Sequence, residues 1–189
     1  MFDVTQFSRK ADIRGVYPND LNEELAFFTG RYLVRYVAGR TGETQPRVLV
    51  GRDGRTSSPA IYRALIEGIA AEGGRPHPCG LATTDMIQWG IGGAVQGAAA
   101  GAMVTASHNP KEYNGFKICR EQAIPLSSAE GLDKIKELVL AGSFPAASPG
   151  RVTQRHTLAE YVAHALTFID PAKLKPWRIA VDAGNGMAG

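Results

Sequence analysis

The chain has 189 residues, 44% hydrophobic and 21% charged, the balance of a soluble globular protein with its own core. Its 21 basic and 18 acidic residues leave a formal net charge of +3, which sets aside nucleic acid and membrane surfaces as partners. No apolar run approaches the roughly 20 residues of a spanning helix, and no secretory h-region opens the chain. Two cysteines without a C-x-x-C pattern exclude a disulfide framework and point away from zinc, so free thiols in a cytoplasmic setting are expected.

Asn22 ahead of Glu23 and Glu24, then Leu25, Phe28, Tyr32 and Tyr36 at helical intervals, predicts an amphipathic helix over 23–38 closed near Gly39. The β-branched run 48–50 after Pro46 predicts a strand buried on both faces. Ser58 and Pro59 supply an N-cap and first-turn proline for a helix through Ile61, Leu65 and Ile69, stopped by Gly73 and Gly74. Further on, 77–81, 99–105 and 116–119 read as strands and 85–91 as a helix, and Ser127 with Glu130 forms a capping box before Leu132, Ile135, Leu138 and Val139. Residues 142–156 lack apolar period and are rich in glycine, serine, proline and alanine, the composition of an interdomain linker.

Beyond it, Thr157 and Glu160 make another capping box, and Leu158, Tyr161, Val162, Ala165 and Ile169 line one helical stripe. Residues 179–181 read as a strand running into a turn at 183–186. The alternation predicts an α/β fold, a layered and mostly parallel sheet with helices on both faces, over 1–150, followed by the truncated start of a second α/β domain at 151–189. A second domain cut short would leave the stripe from Leu158 to Ile169 uncovered, so self-association or disorder after residue 150 is expected.

The densest polar segment runs from Thr105 to Lys117, T-A-S-H-N-P-K-E-Y-N-G-F-K, between two predicted strands, where Pro110 and Gly115 oppose helix and a loop is required. A serine hydroxyl there needs a base, a metal or an attached phosphate to become chemically useful. The chain has no G-x-S-x-G elbow, no G-x-x-x-x-G-K-[ST] and no G-x-G-x-x-G, which turns the reading away from hydrolase and nucleotide chemistry. What remains is Ser107 surrounded by candidate phosphate holders: Asn109, Lys117 and the backbone amides around Gly115. The segment Gly51 to Ser58, G-R-D-G-R-T-S-S, follows a strand and reads as structural, with Asp53 bracing the loop and Ser57 or Ser58 capping the next helix.

TASHNP followed by EYNGFK resembles the active-site loop of the α-D-phosphohexomutases, in particular the bacterial phosphomannomutase/phosphoglucomutase branch. Asp12-Ile13-Arg14-Gly15, the Gly51–Ser58 segment and Val181 to Gly186 agree in order and context. The resemblance implies that Ser107 is a phosphoserine exchanging its phosphoryl group with a phosphosugar through a hexose 1,6-bisphosphate, with net transfer between the 1- and 6-positions. It also implies that Arg14 and Lys117 steady the phosphoryl group, that His108 and Asn109 shape the loop and contact the same group, and that a phosphoryl oxygen on Ser107 holds Mg²⁺. Two features depart from that pattern: Ala11 stands where relatives carry tyrosine, and no D-x-D occurs, whereas the family's metal site uses a D-G-D-G-D run. The 189 residues alone are therefore expected to carry the nucleophile without a complete active site, showing no mutase turnover while still accepting one phosphoryl group on Ser107. Phosphoglucosamine mutase is the nearest alternative, and a non-catalytic phosphosugar-binding module is the alternative from another class.

Overall fold

The computed structural model of the chain describes residues 12–127, 131–133, 147–184 and 186–187. Its first two helices form where capping and periodicity place them. Helix α1 (Glu23–Thr41) begins at Asn22, whose side chain accepts from the Leu25 amide at 3.0 Å. It runs past Gly39 and ends at Gly42, which takes the left-handed conformation (φ 75°) that lets its amide close on Ala38 O. Helix α2 (Ser58–Ala71) has proline in its first turn but no side-chain cap. The hydroxyls of Ser57 and Ser58 are instead taken by a buried network with Asn114 and Asp53, so the expected cap is replaced by tertiary bonds.

The sheet contains β1 (Asp12–Val16), β2 (Arg47–Arg52), β3 (Arg75–Leu81), β4 (Ala98–Val104), β5 (Tyr113–Arg120) and the short β6 (Ile124–Pro125), ordered β1-β5-β4-β2-β3 with β6 beside β5. The α/β layering stands, but the sheet is mixed rather than mostly parallel. Strand β2 runs parallel to β3 and β4, whereas β5 is antiparallel to β4, β1 and β6. The reason is the connection: residues 105–112 carry no crossover helix, and a parallel return needs a dozen or more residues. Strand β1 alternates half-buried Asp12, Arg14 and Val16 with buried Ile13 and Gly15, and pairs with β5, Ile13 opposite Phe116.

Both sheet faces are covered. Val48 and Val50 point into the cluster formed with α1 and α2, while Leu49 between them joins Met86, Ile87 and Ile91 around α3 (Thr84–Trp89) on the opposite face. Both cysteines are free and buried, and burial pushes both thiols above their ordinary pKa.

The later segments differ more from expectation. The helix expected through Ile135, Leu138 and Val139 lies outside the described residues, as do 142–146. Where residues 150–155 were expected as linker, the Thr153 and Arg155 amides donate to the carbonyls of Pro76 and Pro78 on the outer edge of β3. Those edge acceptors would otherwise have no ladder partner. Helix α4 (Leu158–Leu166) forms without the expected capping box: Thr157 makes no side-chain cap, and the Glu160 carboxylate pairs with Arg155 at 2.5 Å. Tyr161 packs edge-on to Trp89 with ring centroids 5.6 Å apart, whereas Leu158, Val162 and Ile169 are exposed, as the stripe led us to expect. Residues 179–181 form no strand; Ile179 and Val181 are exposed and unpaired by any ladder among the described residues. No described helix is long and apolar enough to cross a membrane.

Helices α1 and α2 cross where Gly30 and Gly68 let their backbones meet; a Cβ on Gly68 would overlap Phe27 O, and one on Gly30 would overlap Leu65 O. Because the obstacle is backbone, Gly68→Ala must separate the helices. We expect it to cost about 1–3 kcal/mol in urea unfolding; an unchanged midpoint would contradict this close approach.

Candidate active site

The loop between β4 and β5 carries Ser107. It is drawn together by its own backbone: the Thr105 amide donates to Gly115 O at 2.9 Å, the Asn109 amide to Ala106 O at 3.1 Å and the Tyr113 amide to Pro110 O at 3.1 Å. The Ser107 amide donates to Thr105 Oγ1 at 3.0 Å. Within this frame Ser107 adopts φ 57°, the left-handed region that costs a non-glycine residue roughly 1–2 kcal/mol, and its side chain is exposed. Ser107 Oγ lies 3.4 Å from His108 Nδ1. Both residues, with Asn109, line a cavity of about 1190 Å³ that is also lined by Thr83, Thr84 and Asp85 at the start of α3.

Arg14 and Lys117 form a second group beside this loop. Antiparallel register sets Asp12 opposite Lys117, and the two-residue period puts Arg14 on the same sheet face as Asp12. One Asp12 oxygen, Oδ2, accepts from Arg14 at 2.7 Å and from Lys117 Nζ at 3.4 Å. A Cβ on Gly115 would overlap Ile13 O, so glycine lets the backbones of β1 and β5 meet beside the Arg14 stem. The other end of the guanidinium donates to Asn109 Oδ1 at 2.9 Å, joining the cation pair to the serine loop. Arg14, Lys117 and Asn109 are thus brought together through Asp12, and Ser107 and His108 meet each other. Arg14 and Lys117 are not among the residues lining the cavity. The Gly115 amide is no phosphate holder: it is buried and donates to Asn114 Oδ1 at 2.8 Å.

Two participants escape sequence reasoning. Asp12 stands out in the sequence only as part of a motif, although an acid two residues before Arg14 on a strand must share its face. Arg55 gave no local signal because its partners are backbone carbonyls more than fifty residues away. Its Nη1 donates to Pro110 O (2.6 Å) and Tyr113 O (3.0 Å), its Nη2 to Ser107 O (3.0 Å) and Asn109 O (2.7 Å), and its Nε to Asp53 Oδ2 (3.2 Å). Asp53 braces this loop as expected: its Oδ1 accepts from the Arg55 amide and from Ser58 Oγ. Below them Asn114, fully buried, donates to both Ser57 Oγ (2.8 Å) and Ser58 Oγ (3.0 Å).

Truncating that amide would leave the Ser57 hydroxyl and the Gly115 amide without their buried partner and remove one of the two bonds on Ser58 Oγ. Asn114→Ala is therefore expected to lower stability by roughly 1–3 kcal/mol in thermal or urea unfolding. A change within about 0.5 kcal/mol, as at an ordinary surface position, would contradict the buried network.

Comparison with known proteins places these residues in context. Residues 5–146 match the family described as phosphoglucomutase/phosphomannomutase, alpha/beta/alpha domain I. The chain is 40% identical over 179 residues to the phosphohexose mutases of Xanthomonas campestris pv. campestris (strain B100), covering 94% of this chain and 38% of the relative. It is 35% identical over 190 residues to a phosphomannomutase of Vibrio cholerae, covering all of this chain and 40% of the relative. Among solved structures, a phosphoglucomutase/phosphomannomutase family protein of Burkholderia thailandensis superposes with a TM-score of 0.75 at 28% identity, over 88% of this chain and 36% of that one. The chain thus spans about two fifths of the length of these relatives.

Proposed function

The chain belongs to the phosphoglucomutase/phosphomannomutase family, and from that premise we propose that Ser107 is the phosphoryl carrier in an interconversion of hexose 1-phosphate and hexose 6-phosphate. The observation that carries this reading is the exposed Ser107 hydroxyl, held in a left-handed backbone and lining a cavity, with Arg14 bonded to Asn109 of the same loop and Lys117 joined to Arg14 through Asp12.

In the forward half-reaction the free hydroxyl of the sugar monophosphate attacks the phosphorus on Ser107. The Oγ–P bond breaks, a sugar O–P bond forms, and the hydroxyl proton ends on Ser107 Oγ. The product is the 1,6-bisphosphate. After reorientation Ser107 Oγ attacks the other phosphorus and returns its proton to the released sugar oxygen, so no phosphate is gained or lost. His108, 3.4 Å from Oγ, is placed to relay that proton. Arg14 and Lys117 together carry two positive charges, of which Asp12 cancels one. The net positive charge left over opposes the charge on a phosphoryl group.

Magnesium bound to the phosphoryl oxygen of Ser107 would neutralise charge in that transfer. The described residues do not build such a site by themselves. They contain no group of three or more metal-ligating His, Cys, Asp or Glu side chains. Two carboxylates beside the loop are already engaged, Asp12 by Arg14 and Lys117 and Asp53 by Arg55 and Ser58. The phosphoryl oxygen alone would not complete the octahedral oxygen shell magnesium demands, so no step above is routed through it.

The substrate class follows the mannose and glucose phosphates of the named relatives, with glucosamine phosphate as the alternative sugar. A module that binds phosphosugars without chemistry is the competing reading, and covalent chemistry separates the two. Incubation with hexose 1,6-bisphosphate followed by intact-mass analysis is expected to show one added phosphoryl group, mapped to Ser107 and lost in Ser107→Ala. An unmodified wild-type chain would contradict the carrier role and favour a binding module.

A further inference from the structure

We infer that Arg55, held in place by Asp53, is the positioning residue of the nucleophile loop: it fixes the backbone that presents Ser107 and makes no contact with the phosphoryl group itself. Its consequence for rate rests on the phosphoryl-carrier reading above, while the clamp itself is a property of the fold.

An arginine has five N–H donors and no acceptor. All five on Arg55 are used, four on the carbonyls of Ser107, Asn109, Pro110 and Tyr113 and one on the Asp53 carboxylate. No donor is left for a ligand, which separates Arg55 from Arg14, a residue bonded to side chains. The four carbonyls belong to a loop whose strained member, Ser107, would relax toward an ordinary φ unless its surroundings over-determine it. A planar fork converging on the carbonyls of residues 107, 109, 110 and 113 does that, because all four bonds are anchored on one rigid group. The Arg55 and Asp53 side chains are only 14% and 9% exposed, so water competes weakly for these bonds. A lysine, with three donors on a single point, cannot span the same carbonyls.

The protection of the loop amides is the direct readout. The Ser107, Asn109 and Tyr113 amides are hydrogen-bonded within the loop and exchange slowly only while it keeps its shape. In Arg55→Lys and Arg55→Gln, hydrogen exchange read by mass spectrometry should accelerate by about tenfold or more in the peptide spanning 105–113, as expected for losing several hydrogen bonds, with peptides of α1 unchanged. Ile69→Val, a core substitution that also lowers stability, should leave the loop peptide unaffected. Phosphorylation of Ser107 from hexose 1,6-bisphosphate should slow by about tenfold in Arg55→Lys while the half-saturating bisphosphate concentration stays within about twofold, because the lost term is orientation.

If Arg55→Gln fails to give a cooperative unfolding transition, Arg55→Lys decides. Unchanged loop exchange in the folded variant, or acceleration shared equally by the α1 peptides, overturns the inference. A wild-type chain that never accepts a phosphoryl group defeats the carrier reading, and the exchange result still decides the clamp.

Discussion

A turn between antiparallel neighbours leaves carbonyls with no ladder to join, and here three of them, with that of Tyr113 at the start of β5, share one guanidinium. That convergence governs the candidate site. Without it the loop from 105 to 112 would have only a few internal bonds to hold a serine in a conformation that its own Cβ disfavours. Asp53 completes the device by fixing the guanidinium and the start of α2 together, so the loop inherits its position from the parallel centre of the sheet. Rigidity is lent to a surface segment by a neighbour anchored in the core.

Charge is managed with similar economy on the other flank. Two cations side by side would repel each other and face water, and Asp12 between them lowers that cost while leaving positive charge uncancelled. Arg14 reaches Asn109, so the serine loop is held from both sides, by Arg55 through the backbone and by Arg14 through a side chain. Antiparallel pairing of β1 with β5 is what makes this economical: Asp12 meets Lys117 directly across the ladder although 105 positions separate them in sequence.

Much of this was legible in the chain itself. The first two helices announced themselves through Asn22, the 3.6-residue apolar period and Pro59, and the 48–50 run marked a strand covered on both faces. The TASHNP segment pointed to Ser107 by its residue types. The capping expectations fail for one reason: the side chain found a different partner. Ser57 and Ser58 have the right chemistry to cap α2, yet Asn114 and Asp53 claim them, and Glu160 turns to Arg155 instead of closing a box on Thr157. Strand polarity was misread because the absence of a helix between β4 and β5 weighed less than the general alternation. Arg55 was invisible for a deeper reason, since its partners are carbonyls and every residue type has one.

Family membership and geometry meet at the same loop. The relatives named as phosphohexose mutases or phosphomannomutases share this part of the chain, and the site explains physically why a serine there could be presented for attack rather than folded away. The account's central claim is that the Ser107 backbone is held still before any ligand arrives. Backbone ¹⁵N relaxation of the unliganded chain tests it directly. Order parameters for residues 105–109 near about 0.85, the value of rigid secondary structure, are expected, and values below about 0.6 would contradict the claim.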